Sequence, residues 1–201
     1  MPAPNEILQS LASIARSQQS LAILWHVLLT ALVAALLLGW RPTQRSGAMV
    51  LTLPLLSVGV LAWLYKNPFN GAIFLLVAVG LAVIGSCRPA VRVERAPAWA
   101  SAIGAVMVAF GWIYPHFLPS ASWAEYLYRA PTGLIPCPTL SMVIGFALLA
   151  GGFSSRPWSV VLAILGIFYG LFGAFRLGVA IDIGLLIGAV ALLAQTRSRS
   201  R

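Results

Sequence analysis

LAILWHVLLTALVAALLLGW, residues 21–40, runs for twenty positions without Asp, Glu, Lys or Arg. A helix of twenty residues rises about 30 Å, the thickness of a bilayer's hydrocarbon core. Six further apolar runs lie beyond it, at residues 48–65, 71–86, 99–118, 139–153, 159–175 and 178–194. Backbone groups in hydrocarbon have no water to pair with, so runs of this kind must be helical. The whole chain is 60% apolar and 8% charged over 201 residues, too little charge to clothe a soluble domain of that size. The sequence therefore predicts an all-α integral membrane bundle of about seven transmembrane helices, with Pro54 kinking the second. Glu6 and a single cation, Arg16, precede the first run, which does not read as a signal peptide and is taken as a retained helix.

Alternate connections differ sharply in charge. Arg41, Arg45, Arg88, Arg92, Arg95, Arg156, Arg197, Arg199 and Arg201 fall on one side, nine of thirteen cations. Arg16, Lys66, Arg129 and Arg176 fall on the other, with Glu6, Glu125 and Asp182. The positive-inside rule then places the amino terminus outside and the carboxyl terminus in the cytoplasm. Cations scattered over short loops suit topology and anionic headgroups, so the pI near 10.8 does not indicate nucleic-acid binding. In this scheme Cys87 and Cys137 sit on opposite sides, which excludes a disulfide between them.

Three parts follow: an amphipathic interfacial segment over 1–19, the transmembrane domain over 20–195 with an outer capping loop at 119–138, and a basic cytoplasmic tail at 196–201. In the first, Ile7, Leu8, Leu11, Ile14 and Ala15 recur at helical spacing, as in a helix lying along the outer interface. In the loop, Ser122-Trp123-Ala124-Glu125 reads as a capping box opening a short helix to Arg129, and Trp123, Tyr126 and Tyr128 suit the headgroup level. The following APTGLIPCPT, residues 130–139, is apolar but broken by three prolines and a glycine. It is expected to cap the outer mouth of the bundle.

Small residues recur every four positions in the last two runs: Gly166, Gly170 and Ala174, then Ala180, Gly184 and Gly188. Such ribbons permit close helix approach. A hairpin turning at Leu177 would set Ala174 against Ala180, Gly170 against Gly184 and Gly166 against Gly188. It would also bring Arg176 near Asp182 as a structural ion pair or a contact for substrate.

His26, His116, Cys137, Arg176 and Asp182 are the candidate ligand or substrate residues, all toward the outer side. Cys137 opens a helix, where the dipole favours thiolate. Two imidazoles, a thiol and a carboxylate suit zinc or copper, although no motif spacing specifies a metal or any other cofactor. Cys137 with His116 as base suits acyl transfer, yet no phosphate loop, HExxH or GxSxG accompanies them, and the balance leans away from an enzyme.

YPHFL at 114–118, AP at 130–131 with GLIPCPTL at 133–140, FYG at 168–170, and LGV at 177–179 with Asp182 together resemble a family of small bacterial multi-pass membrane proteins classified as a domain of unknown function. The resemblance covers roughly the second half of the chain. It implies one domain in a bacterial inner membrane and brings no activity with it. Three functions are compatible with these readings. One is small-solute or ion handling through an outward vestibule lined by the five candidates. Another is a structural or accessory subunit, as a homo-oligomer or with a membrane partner protein. The last is an outward-facing enzyme using Cys137.

Overall fold

The computed structural model describes residues 3–117 and 122–198. The segment at 118–121 and the terminal positions 199–201 of the expected basic tail lie outside the described residues. α1 is Pro4–Ser17 and α2 is Gln19–Leu37. α3, Gln44–Val50, continues after a break at Leu51 into α4, Thr52–Leu64. The break lies one turn before Pro54, whose ring clashes with the carbonyl four residues back. α5 is Pro68–Ser86, α6 Ala98–Ile113 and α7 the short Tyr126–Arg129. α8 is Pro136–Leu149, α9 Arg156–Leu171 and α10 Ile183–Ser198. The described residues contain no strand beyond one isolated bridge between Thr43 and Arg92.

Five segments are long and apolar enough to cross a membrane: Gln19–Leu37, Gln44–Leu64, Pro68–Ser86, Arg156–Arg176 and Ala180–Arg197. The fold is that of a multi-pass membrane protein. The expectation of seven spans needs adjustment in two places. α6 stops at Ile113 rather than 118, because Tyr114 precedes Pro115 and takes an extended ψ of 102°. α8 has 14 residues, a rise of about 21 Å, short of the roughly 30 Å hydrocarbon core. Twelve of those 14 residues are buried, so α8 is enclosed by protein rather than by lipid. Outward-facing positions elsewhere are apolar, with Val27, Leu76, Val79, Ile187 and Val190 all exposed, as a lipid-facing surface requires.

The tightest packing centres on α8. A Cβ added at Gly145 falls 2.7 Å from the Val108 nitrogen and 2.8 Å from the Gly104 carbonyl oxygen. One at Gly111 falls 2.6 Å from the Pro138 oxygen. α6 and α8 thus cross with backbone nearly on backbone, the geometry that small residues allow in membranes. The hairpin of α9 and α10 forms, but its register departs from the expected ribbon pairing. Gly166 packs on Ala189 and Gly170 on Leu186, whereas Gly184 and Gly188 turn toward Phe110 and Met107 of α6. Ala174 lies in a π-helical turn at Phe172–Arg176 and Ala180 is exposed, so that pair makes no ribbon contact. The turn itself lies where expected, with Gly178 at φ 73°. Helix α10 also takes in residues 196–198, so the described part of the tail is helical.

The bundle has two distinct ends. At the arginine-rich end, Arg88 donates to the Gln44 side chain at 3.1 Å and to the Ser154 carbonyl at 3.0 Å, while Arg45 donates to the Arg88 carbonyl at 2.9 Å. Three connections are thereby tied at one face. At the opposite, cap end, Gln18 donates to the Tyr65 hydroxyl at 2.9 Å, anchoring the junction of α1 and α2 to the end of α4. The inward face of α1 buries Leu11, Ile14 and Ala15, packing with Leu61, Leu134 and Ile135. This is the docked amphipathic helix that its spacing predicts.

Candidate functional site

The proline-rich stretch after α7 folds inward, and residues 130–136 are all buried. Thr132 donates to the Gly111 carbonyl, Gly133 N–H to Thr139 Oγ1 at 2.8 Å, and Thr139 in turn to the Ile135 carbonyl at 2.7 Å. Trp25 of α2 lies over Gly133, at φ 79°, where no side chain would fit. Before it, Ser122 accepts from Ala124 N–H and Arg129 pairs with Glu125 at 3.2 Å, the short helix that its capping signature predicts. The segment is therefore a cap sewn to α6 and α8, with backbone polar groups paired by threonine hydroxyls.

Under the cap lies a buried polar group built by three helices. Tyr114, at the end of α6, donates to Asp182 Oδ1 at 2.7 Å. Cys137, in the first turn of α8, lies close to both Asp182 and Tyr114. Asp182 is 1% exposed and precedes α10 in a single 3₁₀ turn. Gly173 gives it room, since an added Cβ there would overlap the carboxylate. The Val179 N–H donates to the Gly173 carbonyl at 2.9 Å, which holds the turn against the end of α9. Tyr169 of α9 interacts electrostatically with Cys137 and donates to Asn70 Oδ1 of α5 at 2.8 Å. Polar side chains from α5, α6, α8, α9 and the start of α10 thus lie at one depth within an apolar bundle.

Of the five sequence candidates, the structure joins Cys137 and Asp182. Arg176 is exposed and does not pair with Asp182, whose partner is the Tyr114 hydroxyl. His26 is buried between helices, with Nδ1 2.9 Å from the Ala22 carbonyl and Nε2 3.1 Å from that of Trp112, and its ring stands edge-on to Trp112. It pins α2 to the end of α6. His116 lies beyond α6 and packs against Phe117 and Tyr114, and burial holds its imidazole below the usual histidine range. It is not hydrogen-bonded to Cys137, so the nucleophile and base of the enzyme reading are not paired. Among the described residues His, Cys, Asp and Glu form no group of three that would hold a metal ion. Both cysteines are free thiols. His26, His116 and Asp182 each touch a residue at the end of α6, whereas Arg176 is exposed.

Tyr114, Tyr169, Asn70 and Gly173 are the site residues that the sequence reading passed over. Each is a polar or small residue at the depth of Asp182 in an otherwise apolar run, and that coincidence is the signal that points to them. Comparison with protein-family models, with curated proteins and with solved structures finds no match.

Proposed function

We propose that the protein handles protons or small cations at the Asp182 carboxyl, beneath the cap, in a bacterial inner membrane with its arginine-rich end in the cytoplasm. One observation carries the reading: Asp182 is buried among apolar helices, and its hydrogen-bond partner is the Tyr114 hydroxyl rather than a cation. A carboxylate in such surroundings is costly unless a proton or a cation accompanies it, and intramembrane ionisable groups mark ion and proton pathways for that reason. Tyr114, Cys137 and the Tyr169–Asn70 pair supply exchangeable protons along the same layer. The site lies sealed under the cap, so access requires the cap or the end of α9 to move.

The test is flux. Purified protein in liposomes carrying a pH-sensitive dye is given a membrane potential, in potassium and then in sodium buffers. The wild type is expected to dissipate the gradient, with Asp182→Asn at least tenfold slower because the amide keeps the Tyr114 hydrogen bond but takes no charge. Wild-type vesicles that behave as empty ones in every buffer overturn the reading.

The near-complete burial of α8 favours a second reading, a structural or accessory subunit of a membrane complex. That reading expects Asp182→Asn to leave flux unchanged and a partner protein to copurify in stoichiometric amount.

A further inference from the structure

α2 is tied to the bundle near the cap end by His26 on Trp112, Trp25 donating to Ser57 at 3.1 Å and the contact of Trp25 with Gly133, and further along Leu32, Val33 and Leu36 pack on the core. Beyond them, at the arginine-rich end, Leu37 and Leu38 are more than 80% exposed. A cleft of ≈ 430 Å³ opens between its lower half and the body of the bundle. Its walls are apolar: Leu32 and Leu36 from α2 face Leu51, Phe146, Leu149 and Phe153. Arg41, Arg95 and Trp40 stand at the mouth with one acid, Glu94. Arg41 and Arg95 are exposed and make no hydrogen bond or ion pair with any described residue.

We infer that this cleft binds one anionic phospholipid from the bilayer, with an acyl chain between α2 and α8 and its phosphate on Arg41 and Arg95. Three features of the cleft select that occupant. Walls of leucine and phenylalanine offer water nothing to bond, so a hydrocarbon chain is their natural filling. Two guanidinium groups at the mouth match the fork geometry of a phosphate, and they outnumber the single carboxylate beside them. The whole end is basic, with Arg45, Arg88, Arg92 and Arg156 nearby, so anionic headgroups concentrate there, and Trp40 suits the headgroup level. The inference stands independently of any ion handling at Asp182, which lies at the other end.

Native mass spectrometry in mild detergent, with phosphatidylglycerol and phosphatidylcholine of identical acyl chains added in turn, tests it. The wild type is expected to retain phosphatidylglycerol at least fivefold over phosphatidylcholine. The double variant Arg41→Ala/Arg95→Ala loses that preference, and Leu36→Trp, which fills the cleft from α2, lowers retention of both lipids. Arg92→Ala/Arg156→Ala removes the same charge from the same end but away from the cleft, and is expected to keep the wild-type pattern. Equal retention of the two lipids by the wild type overturns the inference. So does an equal loss of preference in both double-arginine variants, which would assign the effect to overall charge. Thermal unfolding of each variant in detergent accompanies the measurement, and Leu36→Trp, which alters no charge, tests the cleft even where the arginine variants are unstable.

Discussion

At the cap end a carboxyl is buried among apolar helices, and at the arginine-rich end exposed charged groups stand at a largely apolar cleft. Asp182, Tyr114, Cys137, Tyr169 and Asn70 lie inside the bundle beneath a proline-rich lid that is itself buried. Arg41 and Arg95 are exposed at that cleft, and Arg45, Arg92 and Arg156 are exposed elsewhere at the same end. A polar group buried in a membrane bundle demands partners, so the cap end leaves little room for substitution. Exposed Arg41 and Arg95 demand none, and Leu37 and Leu38, where α2 finishes, lie open at that end. The contrast assigns chemistry to one end and lipid contact to the other, and variants at matched depths test how sharp it is.

The largest effect is expected where α6 meets α8. Gly145→Leu drives a side chain into the Val108 and Gly104 backbone, and no monodisperse folded protein is expected on size-exclusion chromatography in detergent. Leu140→Ala, at a fully buried position on α8, is expected to cost roughly 2–5 kcal/mol in reversible unfolding. Tyr114→Phe removes the hydroxyl that Asp182 accepts from, a loss of about 1.5–3 kcal/mol if the carboxyl is charged when the bond is made.

A pH dependence of smaller size comes from His116. Burial lowers its folded-state pKa, so as pH falls the unfolded chain takes up the proton first. Stability is therefore expected to fall as pH drops through about 6.5, the ordinary histidine value, and His116→Phe should flatten that slope in thermal unfolding. The smallest effect belongs to the open end. Leu36→Ala, at a half-buried wall of the cleft, is expected to cost less than Leu140→Ala, because Leu36 has less of its side chain enclosed. A cost at Leu36 equal to that at Leu140 would mean that α2 is packed along its whole length and would erase the contrast between the ends.

The depth of each residue in the membrane was legible from the sequence, and its direction around the helix axis was not. Apolar runs and arginine-rich turns place His26, His116, Cys137, Arg176 and Asp182 toward one end, and of these the structure sets Cys137 beside Asp182. Which helices are neighbours depends on packing, and apolar membrane helices carry too little amphipathicity to reveal it. α8 and α10 are apolar on every side. Hence Asp182 was matched with Arg176 across the turn when its partner stands on α6. The glycine ribbon of α10 was likewise assigned to α9 when it faces α6. The decisive glycines of the α6–α8 crossing, Gly104, Gly111 and Gly145, do not recur at four-residue spacing, so no ribbon announces them. Segments bounded by local chemistry fared better. The amphipathic spacing of α1, the Ser122 cap and the turn at Gly178 all lie where expected, because each depends on a few adjacent residues.

The enclosure of α8 also bears on how the chain is made. It leaves the ribosome before α9 and α10, the two helices that later cover much of its surface. During synthesis, then, a short helix with prolines at its first and third positions must wait in the insertion machinery, or against α6, for later segments to arrive. A chain halted after residue 155 would leave open the faces of α8 that α9 and α10 cover.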